Sequence, residues 1–129
     1  MEVRISDCRL HYEEAGSGEP LVLLHGNGED CGYFARQVEY FSAKYRVIAL
    51  DTRGHGKSER GFAPFTIVQF AEDLRQALEK IAPEPVHLLG FSDGGNIAMA
   101  FALRWPKLLR SLILNGANLR PSGVKFSVQ

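Results

Sequence analysis

The stretch Gly90-Phe91-Ser92-Asp93-Gly94 sets a serine between two glycines, each two residues away. It follows the apolar run Val86 to Phe91 and precedes the alanine-rich Asn96 to Leu103, so it falls where a buried strand gives way to a helix. A serine used as a nucleophile must project its hydroxyl from a tight turn. Side chains two residues to either side would collide with that turn or with a neighbouring strand, and glycine removes the collision. The N–H groups at the start of the helix then point partial positive charge at the reacting centre, which suits an oxyanion. Good packing at a strand-to-helix turn is the competing explanation for the same glycines, and the string alone does not choose between them.

Other groups that could join such chemistry lie upstream. His25 and Gly26 close the apolar run that begins at Pro20, and the backbone just after them can offer an N–H toward the same pocket. His55 falls in the glycine-rich segment Asp51 to Ser58. His11 and His87 sit inside runs that read as strands and are expected to be ordinary surface or hydrogen-bonded residues. Serine hydrolysis needs a base to take the hydroxyl proton and an acid to orient that base. None of the four histidines has the setting of a base, and residues 96–129 contain no histidine, aspartate or glutamate.

Two partial motifs fail. A phosphate-binding loop ending in Gly56-Lys57-Ser58 would need glycine at position 51, where Asp51 stands. The stretch beginning Gly26-Asn27-Gly28 ends on Cys31 where a dinucleotide fingerprint needs its third glycine. Neither a nucleotide nor a nicotinamide or flavin cofactor is expected. Cys8 and Cys31 lie far apart with no paired spacing, which predicts neither a metal site nor a disulfide framework, but reduced thiols in a cytoplasmic protein.

The elements that must position these residues follow from hydrophobic period. Residues 1–16 alternate as an antiparallel hairpin would, with Val3, Ile5, Leu10 and Tyr12 facing inward. Pro20 to Gly26, Arg46 to Asp51, Val86 to Phe91 and Ser111 to Gly116 are short continuous apolar runs, suited to parallel strands buried on both faces. From Thr66 the spacing Ile67, Phe70, Ala71, Leu74, Ala77, Leu78, Ile81 traces one face of a helix, and Thr66 with Gln69 makes a capping-box signature. A shorter stripe runs through Phe34, Val38 and Phe41, and a third helix beginning near Gly94 is ended by Pro106. This order predicts an α/β fold: a mostly parallel sheet of about six strands with helices on both faces and an antiparallel amino-terminal hairpin.

Taken together, Leu21 to Gly28, Val47 to Ser58 and Leu88 to Gly95 resemble the α/β-hydrolase family, in its esterase, lipase and carbon–carbon hydrolase branches, over the chain from Met1 to about Leu119. The resemblance implies Ser92 as nucleophile and the backbone N–H groups of Asn27 and Asp93 as the oxyanion hole. It makes Gly90 and Gly94 the glycines of the nucleophile turn and Gly26 the loop glycine, with His25 shaping its loop and His55 in a turn. In that family an acid and then a histidine follow the serine. Here neither does, so the resemblance implies a truncated fold, a single domain over 1–129 without lid or carboxyl-terminal strands and with an incomplete triad. Three readings remain: a hydrolase fragment or shortened product, weak alone; an enzyme whose base comes from a partner chain or from unusual use of His25 or His55; and a non-catalytic oligomerising or binding module on a hydrolase scaffold.

Fifteen basic residues balance fifteen acidic ones, which disfavours nucleic acid and anionic membrane surfaces as partners. The charged amino terminus has no apolar block, so neither a signal peptide nor a membrane span is expected. A small carboxylic ester or related acyl compound is the expected substrate. Ending the sheet near Ser111 to Gly116 would bare Leu112, Ile113 and Leu114 on an unpaired edge, which predicts a homo-oligomer, most simply a two-fold dimer.

Overall fold

The structure, a computed structural model, describes residues 1–116. Six strands form one sheet: β1 (Glu2–Arg4), β2 (Arg9–Ala15), β3 (Pro20–Leu24), β4 (Arg46–Leu50), β5 (Val86–Phe91) and β6 (Leu109–Asn115), in the spatial order β1-β2-β4-β3-β5-β6. β1 pairs with β2 and β2 with β4 antiparallel, while the β4–β3, β3–β5 and β5–β6 pairs are parallel. The expected mixed α/β sheet with its antiparallel start is therefore what the chain forms. β1 is shorter than the alternating segment suggests, and Ile5 lies beyond its end yet is buried.

All five residues of β3 are buried, as a central parallel strand covered on both faces requires. Val22 and Leu24 point to one side, where they join Ile48, Leu50, Leu88 and the helices α2 (Ile67–Ile81) and α3 (Asp93–Arg104). Leu21 and Leu23 point to the other, against Phe34, Val38 and Phe41 of a 3-10 turn (Cys31–Phe34) and the helix α1 (Ala35–Phe41). Helices thus lie on both faces.

The Thr66 cap of α2 is made, its hydroxyl accepting from Gln69 N–H at 3.1 Å, but the reciprocal half of the capping box is not. The Gln69 side chain turns instead to Asp73, at 3.0 Å. Asp73 is buried in the stripe expected to be apolar, because Arg53 reaches it from the loop after β4. Phe70 is half-buried at the stripe's flank, edge-on to Phe65 and His55, whereas Leu74 is 1% exposed. Of the apolar residues Leu112, Ile113 and Leu114 on β6, Ile113 stands out to solvent, while Leu112 and Leu114 lean half-buried onto the main core. The strand's alternation thus bares one of the three residues expected to be exposed.

The chain leaves β3 through α1 to β4 on one side and returns through α2 to β5 on the other. The carboxyl ends of β3 and β5 therefore flank the point where strand order reverses, the place where open α/β sheets hold their ligands.

Candidate active site

β5 carries the serine to that point. Phe91 ends the strand, α3 begins at Asp93, and Ser92 between them has φ 56° and ψ −119°. Among the described residues it is the one non-glycine with positive φ. Such a backbone costs about 1–3 kcal/mol and persists only where its surroundings over-determine it. Here the Ser92 N–H donates to Asn115 O at 2.9 Å, and its carbonyl accepts from the N–H groups of Gly95 at 2.8 Å and Asn96 at 3.2 Å.

The two flanking glycines are needed for clearance. A Cβ on Gly90 would stand 2.2 Å from the Gly94 carbonyl oxygen, and one on Gly94 would stand 2.1 Å from Leu24 O and 2.6 Å from His25 O. All three obstacles are backbone, so none can swing aside. The first turn of α3 thereby sits directly on the ends of β5 and β3.

The loop after β3 approaches the serine from the other side. A Cβ on Gly26 would lie 3.3 Å from Ser92 Cβ. The Gly26 N–H donates to Glu29 Oε1 at 2.9 Å, and Glu29 N–H returns to Gly26 O at 3.2 Å, which closes the loop. Asn27 follows, exposed, and its N–H and that of Asp93 find no acceptor among the described residues. Asp93 turns its carboxylate along α3 to accept from Asn96 Nδ2 at 3.3 Å. The Ser92 hydroxyl is likewise without a partner among the described residues. A hydroxyl on a strained strand-to-helix turn, with free N–H groups at its side, has the arrangement that acyl transfer uses.

The histidines are each engaged. His25 is 1% exposed, its Nδ1–H donates to Gly26 O at 2.7 Å, and its Nε2 accepts from Thr52 N–H at 3.1 Å. Burial pushes its pKa down, so the ring is neutral and ties the β3 loop to the β4 loop. His55 contacts Arg53 O at 3.0 Å through Nδ1 and Asn27 Oδ1 at 3.4 Å through Nε2, with its ring stacked on Phe65. His11 pairs with Glu13, and His87 lies between Ser111 and Glu19.

The structure thus gathers Ser92, Gly90, Gly94, Gly26, Asn27 and Asp93 at one end of the sheet and keeps His11 and His87 occupied elsewhere. Sequence reasoning missed the scaffold of the neighbouring loop. Asp51, 1% exposed, accepts from Cys31 N–H at 2.6 Å and Lys57 N–H at 2.9 Å. Arg53, fully buried, forks onto Asp73 at 2.8 Å and onto Asp7 at 2.7 Å. The arginine fork and the hydrogen bonds from Phe62 and Ala63 N–H hold the Asp7 carboxyl well below the usual carboxylate range. The one sequence signal for this network is an arginine between Thr52 and Gly54, in a segment where charge ordinarily marks a solvated turn.

The family model described as "alpha/beta hydrolase fold" matches residues 19–126, and the chain belongs to that family. It is 36% identical over 119 residues to an (E)-2-((N-methylformamido)methylene)succinate hydrolase of Acinetobacter baylyi, covering 92% of this chain and 45% of that enzyme. It is 34% identical over 126 residues to a 2-hydroxy-6-oxo-6-phenylhexa-2,4-dienoate hydrolase of Comamonas testosteroni, covering 89% of this chain and 42% of that one. Among solved structures, a thermophilic esterase from Thermogutta terrifontis superposes with a TM-score of 0.88 at 31% identity, covering 94% of this chain and 47% of the esterase. The N-acyl homoserine lactonase AidH superposes at 0.86 and 31% identity, covering 92% of this chain and 45% of the lactonase. The chain spans less than half the length of these relatives.

Proposed function

We propose that this chain carries the nucleophile and oxyanion site of a serine hydrolase acting on carboxylic esters or related acyl compounds. Ser92 is the nucleophile, and the N–H groups of Asn27 and Asp93 receive the developing oxyanion. Gly90, Gly94 and Gly26 let the strands and helix approach. The observation that carries this reading is the strained backbone at Ser92, held at the strand-order reversal with the N–H groups of Asn27 and Asp93 unpartnered among the described residues. The esterase and lactonase among the similar structures favour an acyl substrate, because a lactone is a cyclic ester.

In this reading none of the chain's four histidines is the base, since His11, His25, His55 and His87 are all engaged away from the Ser92 hydroxyl. The base and its acid are supplied by other residues than these. The two free cysteines, Cys8 and Cys31, fit work in the reducing cytoplasm. No helix among the described residues is long and apolar enough to cross a membrane.

A fluorophosphonate probe, with imidazole added as a surrogate base, tests the assignment. Tandem mass spectrometry should locate the adduct on Ser92, with a labelling rate that rises with imidazole and no adduct in Ser92→Ala. Turnover of an activated short-chain ester should be far below that of the esterase relative. Absence of a Ser92 adduct at any imidazole concentration would instead favour a non-catalytic module on this scaffold. Vigorous Ser92-dependent turnover without imidazole would mean that one of the chain's histidines is the base after all.

A second reading, compatible with the first, concerns assembly. The edge of β6 that faces away from β5 has no partner among the described residues, and Ile113 on it is 47% exposed. Such an edge is a template for another strand, and a second copy of this chain pairing there about a two-fold axis satisfies both edges at once. The segment after Gly116, whose crossing to the partner is the other form of this dimer, lies outside the described residues.

A further inference from the structure

β2 sets His11 and Glu13 two residues apart on one face of the strand, the face opposite Leu10 and Tyr12. Cys31 opens the 3-10 turn beyond the β3 loop. A ring nitrogen of His11, a Glu13 carboxylate oxygen and Cys31 Sγ all lie within 4.8 Å of one another. His11 is buried, Cys31 half-buried and Glu13 exposed. We infer that His11, Glu13 and Cys31 form a binding site for a zinc-type divalent cation, a site that takes no part in the Ser92 turn.

The framework is fixed through one residue. The Asp51 N–H donates to His11 O at 2.9 Å, while Asp51 Oδ1 accepts from Cys31 N–H at 2.6 Å. The backbones of two donors from different elements therefore hang on the same buried aspartate, and His11 N–H is held further by Ser58 Oγ at 2.8 Å. One imidazole, one thiolate and one carboxylate make a mixed N, S, O set that zinc accepts with water in the fourth position. Calcium and magnesium prefer oxygen alone, and copper(I) prefers more sulfur. Donor atoms around tetrahedral zinc stand about 3.5 Å apart, given bonds of about 2.0–2.3 Å. The present spread closes by rotating the Cys31 thiol and the exposed Glu13 side chain.

Burial first, and the carboxylates of Asp51, Glu13 and Asp30 around it, push the Cys31 thiol up to about 12, a cost that the metal bond must offset. Binding forms the S–metal bond as the thiol proton leaves to solvent. The thiol accounts for about one proton released per ion bound, and His11 Nε2, which now contacts Glu13 at 2.5 Å, turns to the ion. Positions 11, 13 and 31 match no metal-ligand spacing in the sequence, because Cys31 reaches the strand from a separate element, through Asp51.

Cobalt(II), titrated in chelator-free reducing buffer, reads the site directly. The expected result is one equivalent bound, a thiolate-to-cobalt charge-transfer band, displacement by zinc and about one proton released per ion. The band should vanish in Cys31→Ser and survive in Cys8→Ser. If Cys31→Ser does not fold, the exposed Glu13→Gln carries the test, with cobalt affinity expected to fall at least about tenfold. No band, a band that survives Cys31→Ser, a band lost in Cys8→Ser, or unchanged affinity in Glu13→Gln would each overturn the site.

Discussion

A single buried arginine organises more of this chain than any residue singled out by its motifs. Arg53 joins the β1–β2 connection through Asp7, the loop after β4 through its own backbone, and α2 through Asp73. Both carboxylates raise the arginine's own pKa further, so it stays charged at any ordinary pH. Asp7 is the member exposed to titration. Its folded pKa lies below the unfolded value of 3.8, so its contribution is fully present above about pH 4 and is lost as pH falls through the folded value. Asp7→Asn is expected to lose about 1.5–3 kcal/mol near neutrality, the worth of a charged hydrogen bond in a partly buried setting. Urea melts of both proteins should show this gap narrowing steadily below pH 4; a gap independent of pH would mean that the carboxylate charge is not what Arg53 uses. The serine turn was legible at this scale because glycine spacing records steric clearance directly. The Arg53 network was not, because ion pairs between residues 20 and 46 positions apart leave no local pattern.

At the scale of elements, α2 offers the sharpest comparison. Leu74→Ala removes a fully buried side chain and is expected to cost about 2–5 kcal/mol. Phe70→Ala should cost less than that, because Phe70 packs at the flank against Phe65 and keeps contact with solvent. Arg75→Ala should cost within about 1 kcal/mol, since its pairs with Glu72 and Glu79 are partly solvated. Thermal melts that rank the three in any other order would place the helix's buried face elsewhere. Period 3.6 gave the span and rotation of α2 well, and continuous apolar runs gave β3, β4 and β5 nearly to the residue. What period could not reveal is that Asp73 replaces an apolar contact in the buried stripe and draws Gln69 out of its capping role. Both follow from Arg53 reaching α2 from the loop after β4. Likewise β6 was located correctly, but alternation against α3 hides Leu112 and Leu114, which a run of three apolar residues does not announce.

At the scale of the whole sheet, the decisive property is which edges are closed among the described residues. β1 caps one side with a strand of three residues, a short edge that offers little to a partner. β6 is the longer edge, with seven residues and Ile113 exposed on it. Light scattering across a range of concentrations is expected to give a dimer mass for the wild type and a monomer for Ile113→Lys. A concentration-independent monomer for the wild type would remove the edge-pairing proposal. The charge balance matters here too: with fifteen residues of each sign, long-range repulsion does little to oppose self-association near neutral pH.

The left-handed backbone of Ser92 also sets durability against the chemistry proposed for its hydroxyl. Glycine would occupy that conformation without strain, so Ser92→Gly is expected to be more stable than the wild type by about 1 kcal/mol, after allowing for glycine's greater freedom when unfolded. Ser92→Ala, which keeps the Cβ, should not gain. Denaturation midpoints for the three proteins decide the matter, and equal stability of the glycine and alanine variants would mean the turn stores nothing. If the turn does store strain, a library selected only for heat resistance will drift toward glycine at position 92. Heat tolerance would then rise in the very variants that have discarded the hydroxyl.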